Sequence, residues 1–101
     1  MSLEMMVWAD DQTVGDPLAK FLLLLLGDDA DDQNEARLSI ESLCRRTEMS
    51  PAMVERKLVY LEAKGFLRRR VGPSPASSID GPIYRLAPRL ELADPLQGRL
   101  L

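Results

Sequence analysis

The most prominent pattern along the chain is an unbroken apolar run from Phe21 to Leu26, preceded by Asp16-Pro17 and followed by Gly27. Asp before Pro reads as an N-cap with proline at the first helical position, where its missing N–H costs nothing. A helix is therefore predicted from Pro17 to about Leu26, with Gly27 as its stop. Six consecutive apolar residues cover every face of such a helix, which makes it the central, well-buried one. An acidic, polar loop is expected from Asp28 to Glu35. Ser39 then caps a second helix with Ile40, Leu43 and Cys44 at i, i+3 and i+4, ending near Thr47. Glu48 and Met49 make a short connection. Ser50-Pro51 repeats the cap-and-proline start, and Val54, Leu58 and Leu61 at i, i+4 and i+7 mark the buried stripe of a third helix that stops at Gly65.

Beyond Gly65 the pattern becomes extended. Phe66-Leu67-Arg68-Arg69-Arg70-Val71 and Ile83-Tyr84-Arg85-Leu86 read as two strands flanking a Pro/Gly/Ser segment, Gly72 to Pro82, which gives a hairpin with a long tip. The expected fold is mainly α with a small β-hairpin, a three-helix core plus a wing. Residues 17–86 form this domain. Residues 1–16 are expected to pack on its core or on a dimer partner. Residues 87–101, with Leu90, Leu92, Leu96, Leu100 and Leu101, form a tail that docks on the domain or a partner. A chain of 101 residues leaves room for one such domain and one modest core.

Composition narrows the chemistry. Hydrophobic residues make up 46% and charged residues 29%, the balance of a folded globular protein. The absence of histidine removes the imidazole base, the common catalytic triad and His-bearing zinc sites. The single Cys44 forms neither an intramolecular disulfide nor a metal cage, and reads as a small buried apolar residue in a reducing compartment. The run Asp28 to Asp32 lacks the glycine and closing glutamate of a calcium loop. With no nucleophile–base pair and no Gly-rich phosphate loop, the expectation is a non-enzyme without cofactor or metal. The apolar run is about a third of a membrane span, so a cytoplasmic protein without membrane contact is expected.

Net charge is −3, which taken alone disfavours a nucleic-acid binder. Resolved along the chain it becomes −8 over residues 1–42 and +5 over residues 43–101. Most of the positive part lies between residues 43 and 70. Charge asymmetry of this kind is a recognised sign of nucleic-acid contact, although a solvated charged face produces it too.

One string is more specific. Ser39-Ile40-Glu41-Ser42-Leu43-Cys44-Arg45-Arg46-Thr47-Glu48-Met49-Ser50, then Val54-Glu55-Arg56-Lys57-Leu58, then Leu61-Glu62-Ala63-Lys64-Gly65-Phe66-Leu67-Arg68-Arg69 resembles the winged helix-turn-helix of phage and plasmid replication-type proteins and of small winged-helix repressors. The resemblance extends over about residues 17–86. It implies a DNA-binding regulator, a repressor acting as a homodimer on double-stranded DNA. The third helix would enter the major groove with Ser50, Ala52, Met53, Glu55 and Arg56 outward. Arg56 is suited to guanine and Ser50 to a phosphate, while Arg45, Arg46, Lys57, Arg68, Arg69 and Arg70 would grip the backbone. The sequence departs from the pattern where Pro51 and Ala52 stand at positions commonly basic or polar. Glu55 is tolerable there only if it accepts from a cytosine amino group or pairs with an arginine. The segment Pro73 to Gly81 carries no Lys or Arg, so the wing tip is weak for minor-groove insertion. Val59 and Tyr60 are apolar where charge is usual and need a cover, for which Trp8 and the C-terminal leucines are candidates. The alternative is a winged-helix protein-interaction module, a replication or partition accessory or a phage-type inhibitor, binding a basic protein through Asp28, Asp29, Asp31 and Asp32.

Overall fold

The structure is a computed structural model, and it describes residues 2–70 and 83–86. Four helices and three short strands follow in the order α1 (Leu3–Asp11), α2 (Pro17–Asp29), β1 (Glu35–Arg37), α3 (Ile40–Thr47), α4 (Pro51–Ala63), β2 (Leu67–Arg70) and β3 (Ile83–Leu86). The fold is mainly helical with a small antiparallel sheet, as the hydrophobic pattern predicts. The expected tip segment 72–82 and tail 87–101 lie outside the described residues.

Each helix begins on a side-chain cap. Asp16 Oδ1 accepts the Leu18 and Ala19 N–H groups at 2.9 and 3.1 Å, Ser39 Oγ that of Ser42 at 3.0 Å, and Ser50 Oγ that of Met53 at 3.2 Å. These oxygens take up donors that a helix start leaves without partners. A fourth cap had not been read from the sequence: Ser2 Oγ accepts the Met5 N–H at 3.1 Å and opens α1. The N-terminal segment is thus a helix that packs on α2 through buried Met5 and Ala9.

Two boundaries differ from expectation. Gly27 does not stop α2, which continues to Asp29 and ends where Ala30 turns extended. Its glycine serves packing instead: a Cβ there would stand 2.8 Å from the Met5 carbonyl oxygen, so the bare backbone lets α1 lie directly on α2. Nor is α2 buried all round, since Phe21 is 39% exposed and Leu24 and Leu25 are half-buried. The second difference is β1. Asp31 Oδ1 accepts the Gln33 and Glu35 N–H groups at 2.8 and 3.1 Å, and Asn34 turns through φ 62°. The acidic segment therefore folds back into a strand at Glu35 rather than remaining a loop.

The sheet order is β1-β3-β2, so the hairpin strands are joined by a third strand on the free edge of β3. The register aligns Glu35, Arg85 and Arg68 in one row, Ala36, Tyr84 and Arg69 in the next, and Arg37, Ile83 and Arg70 in a third. Alternation assigns the Ala36–Tyr84–Arg69 row, with Leu67 and Leu86, to the side facing the helices, and the other two rows to the outer face. Leu67, Tyr84 and Leu86 join Leu22, Leu23, Leu26, Val54, Leu58 and Leu61 in one core.

Gly27→Ala is expected to lower stability by about 1–2 kcal/mol, because the clash with backbone outweighs the roughly 1 kcal/mol of helix propensity gained. Urea unfolding measures it. A stabilised variant would mean that the α1–α2 approach does not require glycine.

Candidate nucleic-acid interface

Helix α4 packs on α2 behind it, on α3 and on β2. Val54, Leu58 and Leu61 are fully buried and fix which side of the helix faces outward. That outer side carries Pro51, Ala52, Glu55, Arg56, Val59, Glu62 and Ala63, all exposed. Between α3 and α4 lie only Glu48, Met49 and Ser50. Glu48 takes the left-handed conformation, φ 63°, and its N–H donates to the Cys44 carbonyl at 2.8 Å. Thr47 Oγ1 donates to the Leu43 carbonyl at 2.7 Å and accepts the Met49 N–H at 3.2 Å. At the start of α4, Ser50 supplies Oγ to Met53 and its carbonyl to Val54. Pro51 has no N–H, so Ala52 is the first-turn residue whose donor no cap takes up.

The cations expected to bind phosphate separate into two groups. Arg45, Arg56 and Arg68 are exposed and make no ion pair among the described residues. Arg46 is also exposed and reaches Asp28 only at 3.8 Å. The others are engaged. Lys57 Nζ donates to Asp16 Oδ2 at 2.6 Å, tying α4 to the start of α2. Arg69 lies on the helix-facing side of β2 and meets Glu55 twice, at 2.9 and 2.8 Å, with Glu62 at 3.5 Å. Arg70 bonds Glu35 at 2.7 Å. Glu55 thus meets the condition its sequence position imposed, pairing with an arginine. Of the remaining outward residues, Ser50 is exposed with its hydroxyl acting as a cap, Ala52 is exposed and Met53 is half-buried.

These pairings shift the carboxylates. The hydrogen bond from Lys57, helped by the Ala19 N–H, holds Asp16 below its ordinary value of 3.8. Arg69 does the same for Glu55, and is itself raised by that bond. Asp31 is lowered by the Gln33 and Glu35 N–H groups. Tyr84 is pushed up to about 12 by burial, and its hydroxyl has no hydrogen-bond partner among the described residues.

The expected apolar surface at Val59 and Tyr60 resolves differently at each residue. Val59 is 50% exposed. Tyr60 is half-buried and donates its hydroxyl to the Val14 carbonyl at 2.7 Å, with Lys64 over its ring. Gly15 at φ 91° accommodates that hydroxyl, which a Cβ there would approach to 2.8 Å. Trp8 packs edge-on against Phe66 at 6.4 Å. Cys44 is half-buried beside the core. Two arginines not singled out in the sequence, Arg37 and Arg85, come to lie beside Arg68 and Arg70 on the outer sheet face. The i, i+2 spacing of Arg68 and Arg70 hinted at a shared face, but only the register adds the other two.

Comparison with known protein families, with curated proteins and with solved structures gives no match to this chain. Among the described residues no helix is long and apolar enough to cross a membrane, and no group of His, Cys, Asp and Glu is placed to hold a metal ion.

Asp16 has a lower pKa folded than unfolded, so its ionised form favours the fold above about pH 4, and that contribution is lost as pH falls through the folded value. Thermal melts from neutral to acid pH should show a steeper acid loss for the wild type than for Asp16→Asn; parallel curves would remove the ion pair from the stability account. Tyr84→Phe is expected to be neutral or to stabilise by up to about 1 kcal/mol, since it removes a buried hydroxyl that has no partner among the described residues. A marked loss in chemical denaturation would reveal a hydrogen bond to that hydroxyl.

Proposed function

We propose that the chain is a winged helix-turn-helix protein that binds double-stranded DNA through α4 and acts as a transcriptional regulator, a repressor working as a dimer in the cytoplasm. The observation that carries this reading is the setting of α4. Its apolar stripe is buried, its first two turns stand outward, and Arg56 on that outer side has no ion-pair partner among the described residues. Arg45 on α3 and Arg68 on β2, the elements packed against α4, supply cations for phosphate. A helix presented in this way fits the major groove with its N-terminal residues against base edges.

The pairing pattern refines the roles. Arg56 is the base reader, suited to O6 and N7 of guanine. Arg45, Arg46 and Arg68 grip the backbone, with the Ala52 N–H at the helix start available to a phosphate oxygen. Lys57 and Arg69 are positioning residues that hold α4 against α2 and β2. Because Arg69 neutralises Glu55, that carboxylate does not repel phosphate as an isolated charge would. With few reading side chains, affinity per subunit is low, and two half-sites are required.

The second reading, an interaction module for a basic protein, is supported by the exposed carboxylates of Asp31 and Asp32 and the partly exposed ones of Asp28 and Asp29. Selection from random duplex DNA, followed by titration across salt, tests the first. Arg56→Ala should cost about 1–3 kcal/mol and relax specificity at one position, whereas Arg45→Ala and Arg68→Ala should each reduce the salt slope by roughly 1. Lys57→Ala should leave that slope unchanged. Absence of salt-dependent duplex binding would overturn the DNA reading.

A further inference from the structure

The outer face of the sheet concentrates positive charge that the described residues balance only in part. One row reads Glu35, Arg85, Arg68 and the next on that face Arg37, Ile83, Arg70, so four arginines from three strands share a face with a single carboxylate. Glu35 is only 6% exposed and is shared, bonding Arg70 at 2.7 Å and approaching Arg85 at 3.9 Å. Arg85 and Arg68 stand directly opposite one another, an arrangement of like charges that weakens a strand pair unless an anion intervenes. The side chains of Arg70 and Arg85 remain 51% and 57% exposed.

Beside this face lies its electrostatic opposite. The segment Asp28, Asp29, Asp31, Asp32 runs directly into β1: Asp29 Oδ2 accepts the Arg37 N–H at 3.2 Å and Asp31 Oδ1 accepts that of Glu35 at 3.1 Å. Among the described residues the only side-chain cation paired with these four aspartates is Arg46, at 3.8 Å from Asp28. Among the described residues two patches of opposite sign, each only partly compensated, are thus held side by side, with Arg37 acting on Asp31 where they meet. A polyanion laid across all four arginines would meet the carboxylates beside β1, whereas Arg68 stands on β2, the strand farthest from them. A partner carrying both signs in the same adjacency would satisfy both.

We propose that this surface is a self-association site, at which the acidic segment of a second copy of the chain seats on the arginine face and, by two-fold symmetry, receives the first copy's acidic segment on its own. A two-fold axis running in the contact between adjacent opposite patches superposes each on its complement, so every favourable pairing is made twice. The surface lies on the side of the sheet turned away from the helices and shares one residue, Arg68, with the DNA reading, so self-association is measured without DNA.

Sedimentation velocity on the full chain without DNA tests it. The wild type should be dimeric at about 50 mM salt, with a dissociation constant that rises roughly tenfold or more by about 500 mM as the charges are screened. Arg68→Glu and Asp32→Arg alter side chains that make no hydrogen bond among the described residues, and circular dichroism should find both folded. Each alone should weaken self-association at low salt by roughly tenfold or more, and an equimolar mixture of the two should restore it, because the reversed patches then complement each other in trans. Val7→Glu, on the exposed apolar side of α1, should leave the dimer unchanged. A wild type monomeric at low salt, an association insensitive to salt, loss only with Val7→Glu, or a mixture no better than its components would each overturn the proposal. So would a monomer whose arginine-face variant changes only affinity for duplex DNA.

Discussion

One carboxylate joins the two helices on which everything else is arranged. Asp16 uses Oδ1 to cap α2 and Oδ2 to hold Lys57 in the middle of α4, at 2.6 Å. The energies of these contacts differ in kind. Burial of Val54, Leu58 and Leu61 contributes about 1.5–3 kcal/mol each, whereas a partly exposed ion pair contributes about 1 kcal/mol or less. The apolar stripe therefore supplies the attachment, and Asp16–Lys57 adds a directional contact that a hydrophobic stripe lacks. Arg69 makes the corresponding contact on the other flank, reaching from β2 to Glu55 and Glu62. Between these two ties the side of α4 bearing Arg56 is turned outward.

The cost of that arrangement is visible in the charge. A chain segment that reads as a uniform basic run divides, on folding, into cations that build the structure and cations without an ion pair among the described residues. Lys57, Arg69 and Arg70 belong to the first set, while Arg45, Arg56 and Arg68 belong to the second. A sequence in which acidic residues are interleaved at Glu48, Glu55 and Glu62 invites this division, because residues three and four apart share a helix face and strands return over helices.

The sequence made α2, α3 and α4 legible for physical reasons that do not depend on tertiary contacts: each has an oxygen-bearing cap followed by proline or an apolar residue, and the buried stripe of α4 has the helical period. It made α1 less legible: Met5, Trp8 and Ala9 turn to the core, but Leu3, Met6 and Val7 are apolar and exposed, so the stripe does not stand out from its surroundings. Strand β1 was not legible at all. Glu-Ala-Arg alternates, but three residues are too few for alternation to signal a strand, and it is one only because β3 lies alongside. Gly27 has the local signature of a helix stop, and its actual use, admitting the Met5 backbone, depends on α1, a helix remote from it in sequence. The candidate site shows the same boundary. Arg56 and the caps follow from local spacing, but the engagement of Lys57 with a residue 41 positions away and the meeting of Arg37 with Arg68 and Arg85 belong to the fold.

The proposed contact between the outer side of α4 and duplex DNA is read most plainly from amide chemical shifts of the protein titrated with a selected duplex. The expected result is that the largest changes fall on Ala52, Glu55, Arg56 and Val59, with Arg45 and Arg68 at the margins and the Asp28–Asp32 segment unmoved. Changes confined to α1 or to the acidic segment, with α4 silent, would contradict it.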